Sequence, residues 1–340
     1  MRKYLLPRVG KFYKANLHCH TTISDGRRTP EEIKELYKSH GYSIVAYTDH
    51  DIMIPHHDLD DEDFLALTGY EMEISQTDPS LGIFKKTAHI CLISKSREPI
   101  DQVCYHREKY LVGGGEAYRH LARFDDTLPN YERQYLHRVI NDIINKGREG
   151  GFFVTYNHPT WSGENYSDYM GYHGMNAMEI YNGGCIAAGY DDINLHEYDD
   201  ILRGGERIYA IGADDNHNAH PDDSRHTDSA IAWTMIKAPD LDYKAVTSAL
   251  ERGHFYASMG PEIKALYVED GVAYIKTSPA DRIVMTTGGR RRSIVYREAG
   301  KTLTGARFKI PADAYYVRFT VYDKYGKRAD TNAYFVDEIL

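Results

Sequence analysis

The sequence predicts an α/β domain over residues 1–260, followed by a small all-β, sandwich-like domain over residues 261–340. Three observations carry that reading. Short apolar runs, the mark of buried parallel strands, alternate with amphipathic helical faces to about residue 250. Side chains able to bind metals follow those runs, at the carboxyl ends where α/β barrels keep their chemistry. Beyond Met259-Gly260-Pro261 the apolar period becomes two. A length of 340 residues suits one large barrel with an appendage.

The first strand leads into Asn16-Leu17-His18-Cys19-His20, with Asp25 close behind. On an extended chain His18 and His20 face one way while Leu17 and Cys19 face the core. Thr29-Pro30-Glu31-Glu32 then starts a helix: Thr29 caps it, Pro30 takes the first position and Glu32 closes a capping box. Ile33, Leu36 and Tyr37 share its buried face, and Gly41 ends it. The apolar run Ser43 to Thr48 delivers Asp49-His50-Asp51, Phe64 to Tyr70 delivers Glu71 and Glu73, and the strand Thr87 to Ile93 carries His89.

From Pro99 to about Pro129 periodicity lapses around Gly113-Gly114-Gly115, which suggests an insertion moving as a lid. A helical face from Leu136 to Ile144, ended by Gly147, precedes the strand Gly151 to Tyr156 and its product Asn157-His158-Pro159. A strand from Ala177 to Tyr181, a helix from about Leu195 to Leu202 and a strand from Arg207 to Gly212 lead to Asp214-Asp215-Asn216-His217. A strand from Ala230 to Ile236 and a helix from Tyr243 to Glu251 complete the first domain. In the second, Val317, Phe319 and Val321 alternate with polar residues, and Arg290-Arg291-Arg292 marks a solvated hairpin tip.

Composition narrows the function. A formal net charge of -9 argues against nucleic acid, beyond short nucleotides, or an anionic membrane as partner. The four cysteines are scattered without a Cys-x-x-Cys, as reduced thiols of a cytoplasmic protein would be, and no signal peptide or membrane span is legible. Seventeen histidines, many beside an aspartate or another histidine, are the compositional oddity. Tyrosine (29) also far outnumbers phenylalanine (10), a bias the sequence pattern does not account for.

Successive strand ends supply His18, His20, Asp25, His50, Glu71 or Glu73, His89, His158, and Asp214 or Asp215 with His217. Any one of them could be an ordinary polar or packed residue; isolated explanations do not predict metal-binding side chains at nearly every strand end. Nine mixed nitrogen and oxygen ligands exceed the needs of one ion and suit a cluster.

Those motifs, His18-Cys19-His20, Asp25-Gly26, Thr48-Asp49-His50, Gly69-Tyr70-Glu71, His89, His158-Pro159 and the Asp-Asp-x-His run, resemble the series of the PHP (polymerase and histidinol phosphatase) superfamily over roughly the first 260 residues. With the C-terminal β domain, the chain is similar to two-domain PHP metallohydrolases. The resemblance implies a distorted (β/α)7 barrel holding two or three divalent ions (Zn, Mn or Fe). Its ligands would be His18, His20, Asp25, His50, Glu71, His89, His158, Asp215 and His217. The chain departs from the common Gly-Ser-Asp-x-His ending by one extra residue; keeping Asp-x-His selects Asp215. Asp49 and Asp214 are then candidates to orient an imidazole or move a proton.

The implied activity is a metal-dependent phosphoesterase: clustered ions lower the pKa of a bridging water and neutralise ester oxygens, so hydroxide attacks phosphorus in line. The substrate is a small phosphomonoester or phosphodiester. Two alternatives stay open, a hydrolase of carboxylic or carbamic esters and a catalytically silent metal-bearing binding protein. Charge alone nominates Arg119, Arg123, Arg225 and His226 as substrate contacts, and the sequence leaves the oligomeric state undetermined.

Overall fold

Seven strands of the N-terminal region lie side by side in chain order: β1 (Lys11–Asn16), β2 (Ile44–Tyr47), β3 (Leu65–Ser75), β4 (Thr87–Ser94), β5 (Phe152–Asn157), β6 (Ala177–Asn182) and β7 (Tyr209–Ala213). They belong to a computed structural model that describes residues 2–340. β8 (Trp233–Ala238) pairs antiparallel with β1, and β9 (Phe255–Ser258) pairs antiparallel with β8.

The first three strands are parallel to one another, as are β5, β6 and β7. β4 runs against both of its neighbours. A regular strand–helix alternation therefore fails between β3 and β4, which are joined only by residues 76–86. That link is too short for a parallel crossover, which needs a dozen or more residues. Reversal brings the beginning of β4 to the edge where β3 ends, and pairs His89 with Glu73 on one side and Asn157 on the other.

Helix α1 (Pro30–Ser39) has the expected capping box on Thr29 and Glu32. Its Ile33, Leu36 and Tyr37 pack with Val45, Tyr47 and Phe64. Helix α2 (His137–Glu149) continues past Gly147, where the sequence suggested an end. A Cβ at Gly147 would lie 2.7 Å from a Leu92 methyl, so this glycine lets the helix lie close on the sheet. Helix α3 (Leu195–Arg203) buries Tyr198, Ile201 and Leu202 in the same core cluster as α2. Helix α4 (Tyr243–Glu251) joins a cluster containing Ala15, Ile44, Leu65, Ile93, Phe153, Ala177, Ile211 and Ile236. One cluster thus draws a residue from each of β1 to β8, and the sheet curls around it.

The ends of the curled sheet meet beside the histidines. Asp214 N donates to Asn16 Oδ1 (2.9 Å), Asp215 N to His18 O (2.9 Å), and His20 N to Asn216 O (3.1 Å). No helix among the described residues is long and apolar enough to cross a membrane.

The C-terminal strands are β10 (Ile263–Glu269), β11 (Val272–Ala280), β12 (Arg282–Thr287), β13 (Arg292–Tyr296), β14 (Leu303–Lys309), β15 (Tyr316–Tyr322) and β16 (Arg328–Thr331). β16, β15, β12 and β13 continue the large sheet outward from β9, so its strand pairing runs unbroken across residue 260. A separate antiparallel sheet contains β10, β11, β14 and the short strand Lys3–Tyr4. Ile263, Leu266, Ile275 and Phe308 from this sheet share a core with Ile283, Met285, Phe319 and Val321 from the other. The beginning of the chain therefore packs with its C-terminal layers. Arg291 pairs with Asp313 on the surface, as expected of a hairpin tip.

A buried ion network joins the C-terminal strands to the helical layer. Arg318 contacts Asp199 of α3 at 2.9 Å and Asp330 at 3.2 Å. Arg328 contacts Asp330 at 2.9 Å, and the Tyr181 hydroxyl donates to the same carboxylate. Removing one member of a buried pair leaves the other charge uncompensated. Arg318→Met is expected to lower the unfolding free energy by about 3–5 kcal/mol in urea titration. Arg291→Ala, at an exposed pair, is expected to cost less than about 1 kcal/mol in the same measurement.

Candidate metal centre

Beyond β1 the chain stays extended through His20, and alternation does what the sequence required of it. Leu17 and Cys19 enter apolar clusters, while His18 and His20 point together into the opening of the curled sheet. The ends of β2 and β3 run in step, because Asp51 N donates to Glu71 O (2.8 Å) and Glu71 N to Asp49 O (3.3 Å). This register faces His50 toward Glu71. Three non-glycine residues at the site adopt left-handed backbone: Asp51 (φ 60°), His158 (φ 30°) and Asp215 (φ 53°). Such conformations cost about 1–3 kcal/mol each and persist where the surroundings over-determine them.

The nine expected ligands all converge, joined by Glu179, in overlapping groups that total six imidazoles and four carboxylates. The Nε2 atoms of His18 and His20 are 3.1 Å apart. Asp215 Oδ1 lies 3.2 Å from the first and 3.0 Å from the second. The two oxygens of Glu71 serve different imidazoles. Oε1 lies 3.1 Å from His18, 3.0 Å from His89 and 3.4 Å from His158, while Oε2 lies 3.4 Å from His20 and 3.3 Å from His50. At the open side, Asp25 approaches His20 (3.8 Å), His50 (3.9 Å) and His217 (3.5 Å). Of the alternatives the sequence left open, Glu71 and Asp215 enter the cluster, and neither Glu73 nor Asp214 does.

These residues fit divalent ions. His18 turns Nδ1 to Glu179 at 2.7 Å, so its proton belongs there and its Nε2 presents a lone pair to His20, Glu71 and Asp215. Such a gathering of lone pairs and carboxylate oxygens calls for a proton or a metal cation between them. The buried His50 Nδ1, His89 Nε2 and Asp215 Oδ1 also lack hydrogen-bond partners. Ligands about 2.0–2.2 Å from one ion are separated by roughly 3.0–3.5 Å, the range most of these pairs occupy. The charges respond to the crowding. Burial opposes charge on His20, but Asp215 and Glu71 outweigh it and push its pKa up to about 10. Burial and the neighbouring His20 drive His50 down to about 3.

Sequence reasoning named Glu179 only as a member of a strand. Its signal was a carboxylate among the apolar residues of β6, fully buried here. Besides holding His18, it accepts from His158 N (3.3 Å) and Asn182 Nδ2 (3.1 Å).

The two proposed proton-handling aspartates are placed otherwise. Asp49 does not enter the cluster: it accepts from Thr21 N (2.8 Å), Thr21 Oγ1 (2.9 Å), Ser24 N (3.1 Å) and Ser24 Oγ (2.7 Å), fixing the turn that carries Asp25. Asp214 turns away from the cluster. It accepts from the amides of Ala230 (2.7 Å), Ile231 (2.9 Å) and Ala232 (2.9 Å) and from the Tyr37 hydroxyl (3.0 Å). Adjacent residues cannot aim both carboxylates one way, so one binds the cluster side and the other the loop. Burial lifts the Asp214 pKa to about 6 against the pull of those amides.

The insertion is not a cover. No residue between Pro99 and Arg133 lines the cleft above the cluster. Its glycines dock it instead, because a Cβ at Gly114 would lie 2.3 Å from Thr22 O, and Gly114 N donates to Ser24 O. Arg119 pairs with Glu116 and Arg123 with Asp101, both away from the site. Of the four residues nominated by charge, His226 alone borders the cleft.

That cleft encloses about 430 Å³, with Trp161, Ala187, Ala188, Ala219 and His220 among its walls. The loop bearing His158 and Trp161 is anchored below by Glu164, which accepts from Tyr135 (2.7 Å), Tyr156 (2.5 Å) and Tyr172 (2.5 Å).

Among solved structures, the chain is similar over 98% of its length, and 98% of the other's, to a two-domain protein from Bacteroides vulgatus containing a predicted PHP-like metal-dependent phosphoesterase (14% identity, TM-score 0.46). It is also similar, over 64% of its length and 91% of the other's, to a protein from Bifidobacterium adolescentis proposed to be a metal-dependent phosphoesterase (15% identity, TM-score 0.39). A third similarity, over 60% of this chain and 87% of that one, is to an amidohydrolase from Chromobacterium violaceum with bound sulfate and no metal (16% identity, TM-score 0.37). No protein-family model and no curated protein matches the sequence.

The geometry ranks three substitutions. Asp215→Asn should remove most of one equivalent of bound metal. Asp214→Asn should retain metal and lower stability by about 1–3 kcal/mol, as its new amide meets backbone donors. Glu179→Gln should weaken metal binding about 10–100-fold by loosening His18. Elemental analysis after dialysis, with urea titration alongside, checks the order.

Glu164 gives a pH signature. Burial raises its pKa to about 7, against the donated bonds of Tyr156, Tyr172 and Tyr135. Between an unfolded value of about 4.5 and that folded value the native state holds the extra proton, so this contribution to stability falls as pH rises. Glu164→Gln should remove that decline, seen as a flatter difference in unfolding free energy from pH 4.5 to 7.

Proposed function

We propose that this chain is a PHP-type metal-dependent phosphoesterase that uses two or three divalent ions to hydrolyse a small phosphomonoester or phosphodiester. The observation that carries the proposal is the buried Glu71, whose two oxygens face separate sets of imidazoles, so that this carboxylate could serve more than one ion. His18, His20, Glu71 and Asp215 would hold one position. Asp25, His50 and His217 would hold a second, and Glu71, His89 and His158 a third. Neutral imidazoles mixed with carboxylates suit Zn, Mn or Fe. Divalent ions there supply charge to neutralise the ester oxygens and acidify water enough for attack near neutral pH.

The chain's own residues do the rest. Glu179 fixes the His18 ring, and Ser162 Oγ, 3.2 Å from His158 Nδ1, orients that one. Asp25, exposed, and His217, half-buried, stand at the open side, where substrate enters. The buried His18 and His20 form the floor and exclude bulk water from it.

Hydrolysis of carboxylic or carbamic esters is a second reading, favoured by one feature. Among the described residues the cleft is lined by no lysine or arginine, so a neutral ester enters without leaving a cation unpaired.

Protein purified without chelator should contain more than one equivalent of transition metal per chain by elemental analysis. It should release phosphate from members of a phosphoester panel at rates that fall on chelation. His18→Ala combined with His20→Ala should lose both metal and turnover. Turnover of carboxyl esters with no phosphate release would select the second reading, and unchanged metal in the double variant would remove the site assignment.

A further inference from the structure

We infer that Trp161 selects the substrate, by forming the wall on which a flat, uncharged, aromatic leaving group packs. The inference rests on the hydrolase reading above and names the chemistry of the organic half of its ester.

Trp161 is a large aromatic side chain 42% exposed inside a cleft otherwise floored by polar groups. It is set directly against the reacting end. Its ring lies 5.4 Å from that of His89 at 76°, and 5.1 Å from that of His158 at 87°. A group stacked on this indole therefore sits within one ring's breadth of two imidazoles of the cluster.

The backbone that carries the indole is also held in advance, and the ring packs edge-on against His89 and His158. Trp161 N donates to Asp192 Oδ2 (3.0 Å), and Asp192 is itself fully buried. Asn194 donates to the same aspartate and accepts from the Thr160 hydroxyl (2.7 Å). Ser162 N bonds back to His158 O at 3.1 Å. Such fixing lowers the ordering cost of binding, which is where a rigid aromatic gains affinity.

The walls opposite the metal-binding cluster combine small apolar side chains with two imidazoles, His220 and His226. Ala187, Ala188 and Ala219 present methyl groups. The additional carboxylates at the cleft, Glu73 and Asp228, would repel a second anion on the substrate, and no lysine or arginine among the described residues lines the cleft to receive one. An aryl ester with a single phosphate meets these conditions. A sugar bisphosphate or a phosphorylated amino acid does not.

The test compares 1-naphthyl phosphate with glycerol 2-phosphate on the metal-loaded protein. Wild type should favour the aryl ester, and Trp161→Ala should lower the aryl-to-alkyl ratio of kcat/KM at least tenfold, mainly through KM. Trp161→Phe should restore most of the ratio at equal metal content. A binding readout avoids turnover altogether. In a Trp233→Phe background, which leaves Trp161 as the sole tryptophan of two, 4-nitrobenzylphosphonate should quench the fluorescence. Ethylphosphonate should need at least tenfold higher concentration to reverse that quenching. An aryl-to-alkyl ratio untouched by Trp161→Ala, or inhibition by the nitro compound without quenching, overturns the inference. If phosphoesters are not hydrolysed and phosphonates do not bind, the phosphoesterase reading fails by itself. Phenyl acetate against ethyl acetate then makes the same comparison, with the same ratio deciding.

Discussion

Six imidazoles and four carboxylates meet at one end of the curled sheet, most of them buried and packed closer than their mutual hydrogen bonds require. The ring nitrogens His18 Nε2 and His20 Nε2 face each other at 3.1 Å. Buried charge and unpaired acceptors each cost free energy unless a cation or proton lies between them. The surrounding structure is organised to hold the groups in this opposition. Left-handed backbone at His158 and Asp215 and the register between His50 and Glu71 serve that end, as does the meeting of Asn16 with Asp214.

Around the cluster, three of the loops that carry its residues are each tied by a carboxylate. Asp49 gathers the turn before Asp25, Asp214 gathers the loop at Ala230 to Ala232, and Glu164 anchors the chain after His158. Tyrosines complete these ties. Three donate to Glu164, Tyr37 to Asp214, Tyr316 to Asp199 and Tyr181 to Asp330. A phenylalanine would fill the same space and leave the carboxylate short of a donor. This gives a physical reason for a chain with 29 tyrosines and 10 phenylalanines. The same device joins the two ends of the molecule, because Tyr181 lies on a strand beside the cluster while Asp330 lies in the C-terminal layers.

Sequence and structure part company where chain reversal or close packing intervenes. Periodicity identifies the strand bearing His89, yet direction is a property of the link before it, and residues 76–86 are too few to cross the sheet. Gly147 and the triplet Gly113-Gly114-Gly115 look like a helix end and a hinge. They are points of close approach, to Leu92 and to the backbone of Thr22 and Ser24. A missing side chain reads the same in a sequence whether it frees the backbone or admits a neighbour.

What the sequence determined by itself is local. Alternation around Cys19 puts His18 and His20 on one face, the Thr29–Glu32 box starts α1, and the placement of metal-binding residues after apolar runs marks nine side chains that do converge. Each of these depends on bonding geometry within a few residues. The tertiary structure alone decided where the neighbouring carboxylates turn. Glu179, Asp49 and Asp214 are each beside or among the same kinds of residue in sequence. Only the curl of the sheet turns the first onto an imidazole and the other two onto backbone amides, because the direction of a buried carboxylate is set by the donors that distant segments bring to it.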